Sequence, residues 1–121
     1  VAPLSSAAKR KGNAAELAVV QWLREKGYQA QRNRAGWTND QGDVDAINGV
    51  VIEVKNRQQH NWSGYFEQLG RQMKEKQAYT GVVICKRAGQ SNPGQWLAVM
   101  PADLWLELIQ LLEETTDGIQ A

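Results

Sequence analysis

The chain has 121 residues, 42% of them hydrophobic and 22% charged, the size and composition of one ordinary globular domain. No apolar run approaches the ~20 residues of a membrane span, and Val1 to Arg10 lack the apolar core of a signal peptide, so a cytoplasmic, or host-cytoplasmic, protein is expected. The net charge of +1 is unevenly spread: all 14 Lys and Arg and eight acids fall in residues 1–100, a net of +6, whereas residues 101–121 hold five acids and no base. A basic body suits phosphate binding and suits a plain solvated surface equally.

In chain order, residues 1–8 are small and polar and expected to fray. Asn13 to Lys26 has helical spacing, with Ala15, Ala18, Val19, Trp22 and Leu23 on one face and Gly27 as the stop. Tyr28 to Arg34 reads as a short polar strand and Gly36 to Gly42 as a loop. Asp43 to Ile47 alternates weakly, Asn48-Gly49 marks a hairpin turn, and Val50 to Arg57 is the clearest strand. A polar loop follows, then a helix from Ser63 to Tyr79 with Tyr65, Phe66, Leu69 and Met73 inward. Val82 to Cys85 is a buried strand in which Cys85, with no histidine beside it in sequence, reads as an inert thiol. After the loop Lys86 to Gly94, Trp96 to Met100 forms the last strand, and Pro101 opens an acidic, Leu-rich helix and tail over 101–121. The order α-β-β-β-α-β-β-α predicts a single α/β domain with a mixed β-sheet flanked by helices.

The chemistry centres on Val50-Val51-Ile52-Glu53-Val54-Lys55-Asn56-Arg57. Alternation along a strand turns Val50, Ile52 and Val54 to one face and Val51, Glu53, Lys55 and Arg57 to the other. Glu53 and Lys55 are then neighbours roughly 6–7 Å apart along the strand, a carboxylate able to bind a cation and an ammonium able to orient water. Taken alone, such a pair also fits an amphipathic strand with one wet face. The hairpin brings Asp43 alongside them, and two acids from paired strands suit a hard cation such as Mg²⁺. Asp45 has the same parity as Asp43, so alternation leaves both open as the metal acid. Glu16 lies about 60° from Val19 on the helical wheel, toward the sheet. A carboxylate there needs a partner; alternatively, Asn13-x-x-Glu16 reads as a capping box.

Glu on the first helix, Asp at a hairpin and Glu-x-Lys on the next strand follow one another as in the PD-(D/E)XK nuclease superfamily. More closely, Lys11-Gly12-Asn13-Ala14-Ala15-Glu16, Gly42-Asp43-Val44 and Val51-Ile52-Glu53-Val54-Lys55-Asn56 resemble archaeal-type and phage Holliday junction resolvases. Gln68 and Lys86-Arg87-Ala88-Gly89 match more loosely. The resemblance spans residues 9–110 and implies a restriction-endonuclease-like core and a Mg²⁺-dependent endonuclease of DNA recombination and repair, with Mn²⁺ as a substitute metal. It implies Glu16, Asp43, Glu53 and Lys55 as catalytic residues, with the three acids at the metal. Gly42 stands where the superfamily motif carries proline, and Asp43 fits the phage-type pattern better than Asp45. A homodimer is also implied, since a four-way junction needs two symmetric cuts, and the apolar excess of Trp96–Leu112 offers either a dimer surface or plain core.

Phosphate contacts are expected from Lys9, Arg10, Lys11, Arg32, Arg34, Arg57, Gln68, Lys86 and Arg87. Trp37 and Trp62 fall in polar loops, where they pack or stack on exposed bases, and His60 reads as solvated. Three rivals remain at this level. One is an endonuclease of the same fold acting on flaps, nicks or duplex; another is a non-catalytic nucleic-acid-binding module; the third is a structural protein whose acids serve as caps and ion pairs.

Overall fold

The computed structural model describes residues 5–33 and 41–120; Arg34 and Trp37 lie outside them. The elements are α1 (Ser6–Glu25), β1 (Gln31–Arg32), β2 (Val44–Asp45), β3 (Val50–Lys55), α2 (Trp62–Lys76), β4 (Thr80–Cys85), a 3₁₀ turn (Pro93–Gln95), β5 (Leu97–Val99) and α3 (Ala102–Gln120). This is α/β architecture with a five-stranded mixed sheet in the order β1-β2-β3-β4-β5. Only the β3–β4 pair is parallel, with α2 as its crossover; the other three pairs are antiparallel. No helix among the described residues is long and apolar enough to cross a membrane.

Helix α1 begins seven residues before the expected Asn13. Ser5 caps it, its Oγ accepting from Ala8 N at 3.1 Å, and Ala7 and Ala8 propagate a first turn that has no apolar stripe to announce it. Ser6 to Ala8 thus form the first turn of α1. The early start places Asn13 in the middle of the helix, which removes the capping-box reading of Glu16. At the far end Gly27, at φ +98°, closes a Schellman motif in which Tyr28 N donates to Leu23 O and Gly27 N to Arg24 O.

The sheet carries a core on each face, and β3 serves both. Ile52 and Val54 pack with Ala15, Val19, Val20 and Leu23 of α1 and with Val44 and Ile84. Val51 packs with Tyr65 and Leu69 of α2 and with Val83 and Cys85. The face of β3 that carries Val51 is therefore a second interior, against the alternative of a wet face, and Val51 to Val54 are all buried. Trp96 is buried in the α1-side core, where its Nε1 donates to Gln90 O at 2.7 Å, so it belongs to the interior and not to an exposed patch.

The turn between β2 and β3 is also a junction. Gly49, at φ +78°, offers its carbonyl to Tyr79 N at 2.9 Å and Thr80 N at 3.3 Å, tying the hairpin to the start of β4. A Cβ at Gly49 would meet the Tyr79 ring at 2.5 Å, so conformation and space both require glycine.

Candidate active site

At the carboxyl end of β3, chain segments from both sides of the sheet meet. A cavity of about 520 Å³ opens there, lined by Lys9, Gly12, Asn13 and Glu16 of α1, by Asp43 before β2, and by Val54, Lys55, Asn56 and Arg57.

Asp43 owes its place to the strand pairing and to the glycine before it. The register Val44↔Ile52 sets Asp43 opposite Glu53 and Asp45 opposite Val51, nearer the hairpin. Asp43 N donates to Ile52 O at 2.9 Å, and Asp43 Oδ2 accepts from Val54 N at 2.8 Å, so its carboxylate continues the β2–β3 ladder. Gly42 sits at φ +100°, and a Cβ there would stand 3.0 Å from both Ile52 O and Val51 Cγ1. Proline, fixed near φ −65°, is barred from this backbone. Glycine at position 42 is thus a conformational requirement of this chain.

Glu53 is buried with 2% exposure. Its Oε1 accepts from Gln72 Nε2 at 2.6 Å, and its Oε2 stands 3.5 Å from Lys55 Nζ. The Asp43 carboxyl is within hydrogen-bonding reach of it. Burial foremost, then the charge of Asp43, raises the Glu53 pKa to about 8 against the opposing pull of Lys55 and Gln72. Near neutral pH the Asp43–Glu53 pair accordingly retains a proton.

Lys55 Nζ also lies over the Tyr65 ring, 4.9 Å from its centroid, a cation–π contact that steadies the ammonium beside the carboxylates. Glu16 faces the group from α1. Burial of its carboxyl and then the charge of Asp43 raise its pKa, while Arg32 and Lys55 lower it. Arg32 Nε stands 3.5 Å from Glu16 Oε1, and Arg32 Nη2 donates to Asn13 Oδ1 at 2.7 Å. Of the two contacts the second is the well-formed hydrogen bond; the first is an ion pair at long range.

Among the described residues, no three His, Cys, Asp or Glu side chains form a ready-made metal cage. The donor set still suits a hard divalent cation. Two carboxylates in contact, sharing a proton under mutual repulsion, offer oxygen ligands that a cation can occupy in place of that proton. Mg²⁺ is bound elsewhere by one or two carboxylates completed by water and phosphate, and Asp43 and Glu53 are donors of that kind.

The remaining expected residues divide. Asp45 stands apart from this group: Lys76 Nζ lies 3.4 Å from its Oδ1, and it lines a different cavity with Arg24, Tyr28 and Ala30. Lys9 and Arg57 line the site cavity; Lys11 lines an adjoining one that shares Asn56 and Arg57 with it. Arg10 is exposed on α1, whereas Arg32 is committed to Glu16 and Asn13. Lys86 lies over the Trp96 ring at 6.0 Å, and Arg87 Nη1 donates to Gln95 O at 3.0 Å.

Gln68 is half-buried on α2, and the glutamine that reaches Glu53 is Gln72, one turn later. Sequence reasoning missed it, although Gln72 follows Tyr65 by seven residues and Leu69 by three, inside the buried stripe of α2. A polar side chain at such a position needs a buried partner, and that was the signal. His60 is held rather than solvated: its Nδ1 is 3.0 Å from the Tyr65 hydroxyl, and its ring stacks on Trp62 with centroids 4.6 Å apart. Trp62 itself opens α2 instead of lying in the preceding loop. Comparison of the chain with family models, with curated proteins and with solved structures finds no match, so a family assignment rests on these residues alone.

Proposed function

We propose that this chain is a metal-dependent endonuclease that hydrolyses DNA phosphodiester bonds, built on a restriction-endonuclease-like core of the PD-(D/E)XK superfamily and directed at branched DNA such as a four-way junction. The observation that carries the reading is the gathering of four groups at one end of β3: Glu16, Asp43 and Lys55 line one cavity, and buried Glu53 stands 3.5 Å from Lys55 with its pKa raised to about 8 by burial and by Asp43. A structural ion pair needs one acid per lysine; crowding a second carboxylate against a buried one raises energy unless a cation or proton occupies the gap.

Asp43 and Glu53 would hold Mg²⁺, with Glu16 ligating directly or through water. When bound, the cation supplies polarisation of the scissile phosphate and a water of lowered pKa. The protein's own groups do the rest. Gln72 fixes Glu53 Oε1 and leaves Oε2 toward Lys55. Lys55, steadied by Tyr65, orients the attacking water and offers its charge to the phosphate as negative charge builds. Arg32 holds Glu16 in place from β1. Lys9, Lys11 and Arg57, on the rim of the two adjoining cavities, are placed to contact backbone phosphates without reading sequence.

The test is to incubate the protein with labelled four-way junction and with matched linear duplex, each with Mg²⁺ or with EDTA, beside Lys55→Ala. The reading expects symmetric, metal-dependent cutting of the junction, lost in Lys55→Ala while DNA binding survives. Equal cutting of the duplex would keep the chemistry and replace the substrate. Binding without cutting under any divalent metal would leave a nucleic-acid-binding module and end the enzyme proposal.

A further inference from the structure

Between Arg57 and the start of α2 the chain carries no acid and no Lys or Arg: Gln58, Gln59, His60 and Asn61 lead straight into Trp62. Four rings then gather at the first turn of the helix. The Trp62 indole lies near-parallel to His60, with centroids 4.6 Å apart and planes at 26°, and near-parallel to Phe66 at 6.2 Å and 17°. Tyr65 meets Trp62 and His60 edge-on, at 5.5 Å and 5.7 Å, and its hydroxyl is 3.0 Å from His60 Nδ1. Three neighbours thus fix the indole, yet Trp62 stays 39% exposed, and His60 and Phe66 are only half-buried. An aromatic side chain held in this way at the surface has given up its rotamer freedom in advance, so a ligand that covers it meets little further ordering cost.

Two contacts tie this cluster to the candidate active site. Tyr65 is the ring beneath Lys55 Nζ, so the indole is one ring removed from that ammonium. The charge of Arg57 reaches the Tyr65 hydroxyl, and Arg57 lines both the site cavity and the adjoining one, whose wall Gln58 and Gln59 continue. A cation for a phosphate and a rigid ring for a base therefore stand side by side, the combination by which proteins hold unpaired nucleotides.

Linear duplex makes poor use of such a ring. Its bases are covered on both faces by their neighbours, and drawing one out forfeits stacking and pairing. At a branch point the stack is interrupted and a base face is already open, so the ring gains a contact without that loss. Resting on the DNA reading above, we infer that Trp62, backed by His60, Tyr65 and Phe66, is a stacking site for a nucleobase at a DNA branch point. The site supplies the preference for branched over linear DNA, which the carboxylates and the rim cations do not.

Equilibrium binding of the full chain to labelled four-way junction and to matched linear duplex, in EDTA so that neither is cut, tests this. The wild type is expected to favour the junction, and Trp62→Ala to lower the ratio of junction to duplex affinity by about tenfold, the scale of one stacked base. Trp62→Phe, which keeps a ring, is expected to retain most of the preference. Tyr28→Ala, which removes an exposed ring at the separate cavity beside Asp45, is the control and is expected to leave the ratio intact. If Trp62→Ala fails to fold in thermal melts, Trp62→Leu takes its place, since leucine fills space without offering a ring face, and the same fall is expected. A ratio unchanged by the loss of the ring, a Trp62→Phe that falls as far as Trp62→Ala, or a wild type that binds both DNAs equally overturns the inference and leaves the nuclease reading standing. A wild type that binds neither DNA ends that reading, and the stacking site with it.

Discussion

Two carboxylate–lysine pairs stand on this sheet at almost the same separation. Glu53 and Lys55 approach to 3.5 Å, Asp45 and Lys76 to 3.4 Å. Their surroundings differ. Asp45 has a side chain 49% exposed, and Lys76 also donates to Val50 O at 2.7 Å, so that pair ties α2 to the hairpin at the rim of the fold. Glu53 is sealed in, crowded by Asp43 and braced by Gln72, and Asp43 in turn shares a cavity with Glu16. Ion-pair distance therefore does not tell the two acids apart. Burial and a second carboxylate do, because together they create an electrostatic need that one lysine does not meet.

Breaking the two pairs should give opposite results. Glu53→Gln or Lys55→Ala is expected to lower junction cleavage by about 10³-fold or more, while Asp45→Asn leaves the rate within about threefold, measured by single-turnover cleavage under Mg²⁺. Gly42→Ala sharpens the contrast from the backbone. It forces a side chain onto φ +100° and against Ile52 O, with an expected loss of about 2 kcal/mol in urea denaturation and a fall in cleavage as Asp43 shifts.

The pH dependence of stability in EDTA comes next in size. Glu53 binds its proton more tightly folded than unfolded, so the folded state takes up protons between the ordinary carboxyl value of 4.5 and about 8. Stability is accordingly expected to be greatest below that window, to fall as pH rises through it and to level off above about 8, with Glu53→Gln flattening the slope in thermal melts. The smallest effect is expected for Asp45→Asn, a change in stability under about 1 kcal/mol, as for other exposed ion pairs.

Much of the site was legible because β3 announces itself. Val50 to Lys55, the Asn48-Gly49 turn and the acids beside it were readable as one hairpin, and alternation alone put Glu53 beside Lys55. Alternation failed to choose between Asp43 and Asp45, since both have the same parity. The choice came from register and from Gly42, whose positive φ is a property of the folded turn. The start of α1 stayed hidden because its first turns carry no apolar stripe, and with it the reason Asn13 caps nothing. The task of Arg32 was out of reach too: it depends on β1 lying beside α1, a contact between segments 16 residues apart that no local pattern encodes. Gln72 was recoverable in principle from its place on the buried stripe of α2. The second interior beneath β3 was not, because the face that buries Val51 also carries Glu53, Lys55 and Arg57, residues that ordinarily mark a solvated face.

The central claim is that Asp43 and Glu53, and not Asp45, form a site for a divalent cation, and thermal melting in Mg²⁺ against EDTA tests it most directly. A cation that binds only the folded state raises the melting temperature by mass action. The wild type and Asp45→Asn should both be stabilised by Mg²⁺, by several degrees at saturating metal, and Asp43→Asn should not respond. A wild type indifferent to Mg²⁺ and Mn²⁺, or a response that survives Asp43→Asn and disappears in Asp45→Asn, would contradict the account.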